Sequence, residues 1–522
     1  MKYFLKRLLY GLFSIVVVVA VVMVLIYSCL DRNKVFANDP IYQKQGNNTK
    51  EVYRYQKWEE YGYIDYVTYE DYVNGLAKTG DITAEERDEI AKLGRKADKD
   101  SEIVAEYVKK FKDYYTSKGY TVKRLDAKMN GSKLKNGGRQ QYFAFKDLPL
   151  YHRLATYFTT LLTVDNIHYV QEDIPDRGLT FTLFDPVYGG DKFSPAIIGN
   201  GTKHKYLLYF DNTFPFIHQN LLNVNLGLSY SVNTGIDVFD TMTNSQGSYV
   251  KSMMTFPTGL VEESADNLHS ATYTAGSLQA NDMLKARFTD DYTNVTLHKN
   301  GLSRIGYSFS IGIVATMLAY LLGLPIGVLM ARKKDKLVDQ IGTIYIIFII
   351  AVPSLAYIFL FKAIGGAVFK LPTTFNVDNM SIAMYVLPVV SLALPSVANL
   401  MKWMRRYMID QANSDYVKFA RSGGLTEGEI FRKHIMKNAA IPIIHGVPGS
   451  VLGALTGAII TERVYVVPGA GNLLTTAINQ FDNGVIVGVT LFYALLSVVS
   501  IILGDILMSM VDPRISFSSK AR

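Results

Sequence analysis

The sequence predicts an α-helical polytopic membrane protein with a large mixed α+β domain between its first and second spans. Three observations predict it. Six apolar runs each reach the roughly 20 residues that cross a bilayer. The polar stretch Asp31–Asn300 separates the first run from the other five. Charge is divided unevenly between the two parts. Asp31–Asn300 holds 32 Lys and Arg against 35 Asp and Glu, a balance of −3, whereas the remainder holds 22 against 11. The chain's net charge of +8 therefore belongs to the hydrophobic part, which points away from nucleic acid as a partner. A hydrophobic fraction of 49% and a mean hydropathy of +0.11 average over these unlike parts. At 522 residues at least two regions are expected. Cys29 is the only cysteine, so no intrachain disulfide or cysteine-based metal site can form.

The first span is Leu8–Leu30, following Lys2, Lys6 and Arg7. Its length favours a retained anchor over a secretory signal, whose apolar core runs about 7–15 residues. Ile26-Tyr27-Ser28-Cys29 leaves a lipoprotein cleavage box as the alternative, although Tyr27 is bulky for one. The later spans are expected near Ile305–Met330, Ile341–Phe361, Ile382–Met401, Ala439–Thr461 and Val485–Met510. Their glycines and prolines (Gly323, Pro325, Pro353, Pro388, Pro395, Gly453, Gly457) suit close packing inside a bundle. With the amino terminus inside, 18 Lys and Arg fall on inner segments and 3 on outer ones. That bias places both termini in the cytoplasm and residues 31–300 outside.

In the outer domain Thr83 and Glu86 have capping-box spacing. Ser101–Lys118 carries Ile103, Val104, Tyr107, Val108, Phe111, Tyr114 and Tyr115 on one helical face, with Gly119 as a stop. Thr180–Phe184 and Tyr206–Phe210 alternate as strands. The abundant Tyr and Phe read as core, with a peptide-binding surface as the second reading. Gly75-Leu-Ala-Lys-Thr-Gly80 approaches a phosphate loop, but Asp81-Ile82 stands where Lys and Ser or Thr are needed. The eight histidines include no i, i+4 pair. No catalytic constellation emerges, and the chain is not expected to be an enzyme.

Asp415–Ile444 joins two spans as a short amphipathic helix, a Gly423-Gly424 turn and a second helix capped by Thr426 and Glu429. Lys418, Arg421, Arg432, Lys433, Lys437 and His434 make it basic. Helices lying on the membrane surface would account for that charge; a cytoplasmic partner would account for it equally.

Asp415-Tyr-Val-Lys-Phe-Ala-Arg-Ser-Gly-Gly-Leu-Thr resembles the "DYVRTARAKGLS" signature of dipeptide/oligopeptide ABC importer permeases, matching at Asp415, Tyr416, Ala420, Arg421, Gly424 and Leu425. His434, Asn438-Ala439 and Pro442 match its "RHxxxNAxxP" continuation. Lys418 stands where the general EAA pattern has Glu, and Gly423 replaces the usual second Lys. Glu462 with Pro468, Gly469 and Gly471 resembles the family's "ETVFxxPGxG" outer loop. Leu226–Tyr230 resembles "LGxSY", and Gly504-Asp505 with Asp512-Pro513-Arg514 resembles the "D…DPR" ending. Residues 41–205 and 245–300 look like insertions of the kind found in streptococcal Ami/Opp-type permeases, and Gly199–Phe210 resembles those members.

The resemblance implies the ABC importer permease fold with six transmembrane helices. Residues 1–30 would hold the amino terminus and first helix, 31–300 the extracellular domain, and 301–522 the permease core with its coupling loop at 412–438. Asp415, Tyr416, Ala420, Arg421, Gly424, Leu425, Glu429 and His434 would couple to the ATPases, with Tyr416, Val417, Phe419 and Ala420 buried against them. A second homologous permease, two cytoplasmic ATPases, a lipid-anchored extracellular peptide-binding protein, membrane lipid and an oligopeptide substrate are the implied partners. No cofactor is expected in this chain, since ATP and Mg would sit on the ATPases. A membrane receptor and an ion-coupled carrier are the rival classes. For the carrier, Asp505 would be the working acid; bonding to a neighbouring helix is its alternative role.

Overall fold

A computed structural model describes residues 2–94, 97–125, 128–130, 133–135, 141–171, 174, 176–188, 191–212, 216–273, 282–289 and 294–511. Asp512-Pro513-Arg514 lies outside the described residues. Among those described, four helices are long and apolar enough to cross a membrane: Leu5–Cys29, Arg304–Arg332, Ala383–Ala412 and Asn483–Val511. Two further apolar stretches are bent pairs. Leu337–Ala351 meets Ser354–Ala367 at 111°, and Glu427–His445 meets Val447–Tyr465 at 41°.

The first bend corrects the expectation of one continuous span over 341–361. Pro353 has no N–H to donate, and Val352 before it is held extended (φ −87°, ψ 129°) because the proline ring disfavours helix at the preceding residue. Prolines 325, 388 and 395 leave their helices unbroken. Helices 304–332 and 383–412 form the centre of the bundle, at glycine distance. A Cβ on Gly323 would come within 2.8 Å of Leu400, and one on Gly327 within 3.0 Å of the Met401 carbonyl.

The amino-terminal helix is peripheral. Its buried residues Ile15, Val19, Met23 and Ile26 form one stripe that packs on helix 483–511. Near the other end of that contact Arg7 and Asp505 pair at 2.9 Å, giving the isolated acid of the last helix a partner.

The polar region folds as mixed α and β structure. Thr83 and Glu86 form the expected reciprocal capping box. Glu102–Ser117 is capped by Ser101 and buries Val104, Val108 and Phe111, and Gly119 follows at φ +80°. Residues Tyr69–Thr79 form a helix ending at Gly80 (φ +82°), so the apparent phosphate loop is a helix C-terminus. The strands fall at Gly178–Thr182 and Tyr206–Phe210, the first starting two residues earlier than expected. They belong to a four-stranded antiparallel sheet with Ala196–Asn200 and Ile217–Gln219. A second sheet places Gln141–Asp147 between Ile64–Thr68 and Thr121–Leu125.

The polar domain is joined to the bundle through Asp482, which is fully buried ahead of the last helix. Its carboxylate accepts from Ser229 Oγ (2.7 Å) and from the backbone N–H groups of Tyr230 (2.9 Å), Ser231 (3.0 Å) and Val232 (2.9 Å). The Val485 N–H, at 3.2 Å, adds the helix's own first turn. Contact is so close that a Cβ on Gly484 would sit 1.8 Å from the Leu228 carbonyl oxygen. Tyr230 stacks on Tyr61 at 3.8 Å, and Asn483 donates to the Tyr63 hydroxyl at 2.9 Å. This network explains the Leu226–Tyr230 segment in physical terms. Removing the acceptor leaves several buried donors without a partner, at about 1–3 kcal/mol each. Asp482→Ala should therefore lower the thermal unfolding midpoint of the purified protein and expose the 226–232 segment to protease. Asp482→Asn, which keeps acceptor oxygen, should fall between the two.

Candidate functional site

The 415–444 stretch, the candidate coupling site, is built from its inner face outward. Asp415–Ser422 forms a helix whose Val417 and Ala420, three residues apart, turn into the bundle. There they meet Met404 and Met408 of helix 383–412, Met330 of helix 304–332, and Ile430 and Ile435 from the following segment. Val417 and Ile430 are fully buried, which stabilises the attachment by about 1.5–3 kcal/mol per side chain. This corrects the expectation that Val417 and Ala420 would be buried against a partner. Their contacts are already made inside the chain.

The exposed face is what remains. Phe419 is 79% exposed, and Tyr416 and Leu425 are partly so. The turn between them closes by hydrogen bonds from Leu425 N–H to the Ala420 carbonyl and from Gly424 N–H to the Arg421 carbonyl. Gly424 takes φ +85°, where only glycine is unstrained, and a Cβ there would meet open space. Gly423 sits at φ −75°, so the backbone does not require glycine where the family usually has Lys. Arg421 spans the turn to Glu427 with two bonds (2.6 and 3.2 Å), and Lys418 pairs with Asp415 at 2.9 Å. Thr426 and Glu429 complete the predicted capping box, and Lys433 approaches Glu429 at 3.5 Å. His434 is half-buried beside Tyr416, whose hydroxyl donates to Gln411 at 2.6 Å. Beyond the cap, Ile430–Met436 winds as a π-helix before Lys437–His445 resumes the α-helix. The backbone then continues into Val447–Tyr465, which at 1.5 Å per residue is about 28 Å long.

At the far end of that helix stands Glu462, fully buried. Its Oε1 accepts from Ser308 Oγ at 2.6 Å and its Oε2 from the Asn472 N–H at 2.9 Å. The Gly471 N–H also donates to it. Ser308 in turn accepts from the Ala470 N–H at 2.9 Å. The free amides opening helix Ala470–Asn479 are thus satisfied by one carboxylate and one hydroxyl, both also tied to helix 304–332. Gly469 and Gly471 follow from that approach. A Cβ on Gly469 would lie 2.3 Å from Glu462 Cδ, and one on Gly471 2.5 Å from Ile459 Cγ1. Pro468 precedes them without a donor to satisfy. Val466, β-branched yet at φ 58°, is strained where the helix ends.

The family "Binding-protein-dependent transport system inner membrane component" matches residues 323–517, which contain both the coupling stretch and the Glu462 motif. The oligopeptide transport system permease protein AmiC of Streptococcus pneumoniae is 34% identical over 99% of this chain and 99% of its own. The chain belongs to this family. The permease is also 30% identical to the dipeptide transport system permease protein DppB of Lactococcus lactis, over 43% of this chain and 73% of that one. For the oligopeptide transport system permease protein AppB of Bacillus subtilis the figures are 30%, 41% and 71%. Thus AmiC matches through the polar domain as well. A crystal structure of an amino acid ABC transporter aligns with 92% of its chain and 41% of this one, at 21% identity and a TM-score of 0.31, too low a score to add to the family match.

The structure gathers the predicted residues of the permease into two groups. Tyr416, Arg421, Gly424, Leu425, Glu429 and His434 surround the turn, while Asp415 lies at the helix start and Ala420 faces inward. Glu462, Gly469 and Gly471 meet around one carboxylate. Sequence reasoning missed Ser308 and Asp482. Asp482 carried a signal, an acid directly ahead of an apolar run, which is an N-cap position; Ser308 carried none. Gly469→Ala should destabilise the purified permease markedly, because the added methyl displaces the Glu462 carboxylate from its three hydrogen-bonded neighbours, Ser308, Gly471 and Asn472. Gly424→Ala should cost only about 1 kcal/mol of backbone strain. Thermal unfolding of the two variants side by side checks the contrast.

Proposed function

We propose that this chain is a membrane permease subunit of an ATP-driven ABC importer that carries oligopeptides across the bacterial plasma membrane. The single observation that carries the reading is the coupling stretch, whose apolar inner face is locked to the bundle while Phe419, Leu425 and the Gly424 turn face outward. A surface fixed on one side and offered on the other is what a partner's movement requires in order to be passed to membrane helices. The partners are two cytoplasmic ATPases, which bind ATP and Mg and perform the hydrolysis, and the permease is not itself a catalyst.

In this reading the two bent pairs each count as one span, giving six, with both termini in the cytoplasm and residues 31–300 extracellular. A second homologous permease completes the translocation path. A lipid-anchored binding protein delivers peptide at the outer face, where the enlarged domain docks it or lines the entry. The Arg7–Asp505 pair gives that acid a structural role between the first and last helices, the alternative to serving as a carrier's working acid. The longest inner segment, Lys402–Lys437, leaves little room for a receptor's output domain.

Substitutions at two positions test the coupling surface. Phe419→Glu removes an exposed apolar contact without disturbing the buried face, and should abolish recovery of the ATPases with the tagged permease while leaving its membrane level unchanged. Gly424→Asp and Gly424→Asn tolerate the left-handed backbone about equally. Loss of ATP-driven peptide uptake with Asp but not with Asn would place a charge-sensitive partner against the turn. Normal uptake in Phe419→Glu and Gly424→Asp would remove the basis for the coupling role.

A further inference from the structure

A cavity of about 330 Å³ lies where the amino-terminal helix, the last helix and the polar domain meet. Its floor is apolar, with Met23 from the first helix, Val487 from the last and Leu226 from the connecting segment. Its rim is polar, formed by Arg153, His152 and Glu60. The Arg153 guanidinium is held between two rings, 3.6 Å from the Tyr27 centroid and 4.1 Å from that of Tyr63. The buried Tyr157 hydroxyl in the same wall has no hydrogen-bond partner among the described residues. None of helices 304–332, 383–412 and 447–465, which make the centre of the bundle, contributes to the lining. The cavity is therefore lateral, beside the peripheral first helix, and at the depth where a span passes into a polar domain.

The surface next to it is apolar and uncovered. Leu150–Thr160 forms one wall and runs into strand Leu162–Val164, paired with Leu222–Val224. Register sets Leu162 opposite Val224 and Val164 opposite Leu222, so all four side chains share one face. Leu162 is 56% and Val164 63% exposed, and Tyr151 at the start of the wall helix is 76% exposed. We propose that this face rests in the adjoining membrane leaflet and that the cavity behind it binds a glycerophospholipid, with acyl chain on the Met23–Val487 floor and phosphate at Arg153 and His152. Glu60 at the same rim is paired with Lys57 at 2.6 Å, which leaves Arg153 and His152 as the basic groups of the lining. The volume, at the small end of ligand pockets, suits one chain segment, and continuity with two spans favours lipid over a peptide arriving from the aqueous side.

The test uses the full-length permease in mild detergent with a phosphatidylglycerol carrying a photoactivatable group on its acyl chain. Crosslinks should concentrate on residues 23–27 and 150–160. Thr156→Trp, or Thr160→Trp if the first variant misfolds, fills the cavity from an exposed position and should reduce them about tenfold, with the unfolding midpoint unchanged. A diacylglycerol probe lacking phosphate should label more weakly than the phospholipid. Labelling spread evenly over the spans, unaffected by either tryptophan, or equal for the two probes would overturn the proposal. So would displacement of the label by an apolar tripeptide, which would assign the cavity to peptide.

Discussion

A carboxylate buried inside the fold must find its partners within the chain, because water does not reach it. Asp339, Glu462 and Asp482 of this permease meet that requirement with hydrogen bonds and Asp505 has an ion-pair partner, and each joins segments far apart in sequence. Asp339 takes two bonds from Arg405 (2.5 and 2.7 Å), tying the start of helix 337–351 to the end of helix 383–412. Glu462 ties helix 447–465 to Ser308 and to the amides of helix 470–479. Asp482 ties the last helix to the 229–232 segment, and Asp505 ties it to Arg7. Burying an ionised group is costly, whereas removing its partner afterwards costs still more. These four contacts therefore set which helix ends stay together.

These ties bear on transport. Helix 447–465 is held at one end by the Glu462 cluster and connects at the other, through the π-helical segment, to the coupling stretch. Val417, Ala420, Ile430 and Ile435 make the stretch part of the same apolar cluster as helices 304–332 and 383–412. A push on Phe419 is then a push on the centre of the bundle. Charge plays a smaller part than the basic composition suggests. Arg421, Lys418 and Lys433 have acidic partners within the stretch itself, and exposed pairs of this kind shape a turn more than they attract a partner.

Much of this was legible in the residues, for identifiable reasons. Capping boxes at Thr83 and Thr426, the glycine stops at Gly80, Gly119 and Gly424, and the helical face of 102–117 are local, so spacing alone exposes them. Charge counts separated the polar domain from the spans. Direction was harder to read. The sequence marks Val417 and Ala420 as apolar but cannot tell a partner's surface from the chain's own bundle, and the structure turns them inward. The 111° break at Pro353 was masked because prolines 325, 388 and 395 sit in uninterrupted helices, so proline by itself does not announce a break. Ser308 and Arg153 were invisible because their meaning lies in partners distant in sequence: Glu462 for one, Tyr27 and Tyr63 for the other.

In the proposed arrangement residues 415–444 offer one face to the ATPase and keep the other in the bundle. Cysteine crosslinking separates the faces directly, because Cys29 is the only native cysteine and can be replaced by Ser. In that background Phe419→Cys should crosslink to the ATPase subunit under a short bifunctional reagent, and Val417→Cys, two residues away, should not. Efficient crosslinking from Val417→Cys with none from Phe419→Cys would contradict the account.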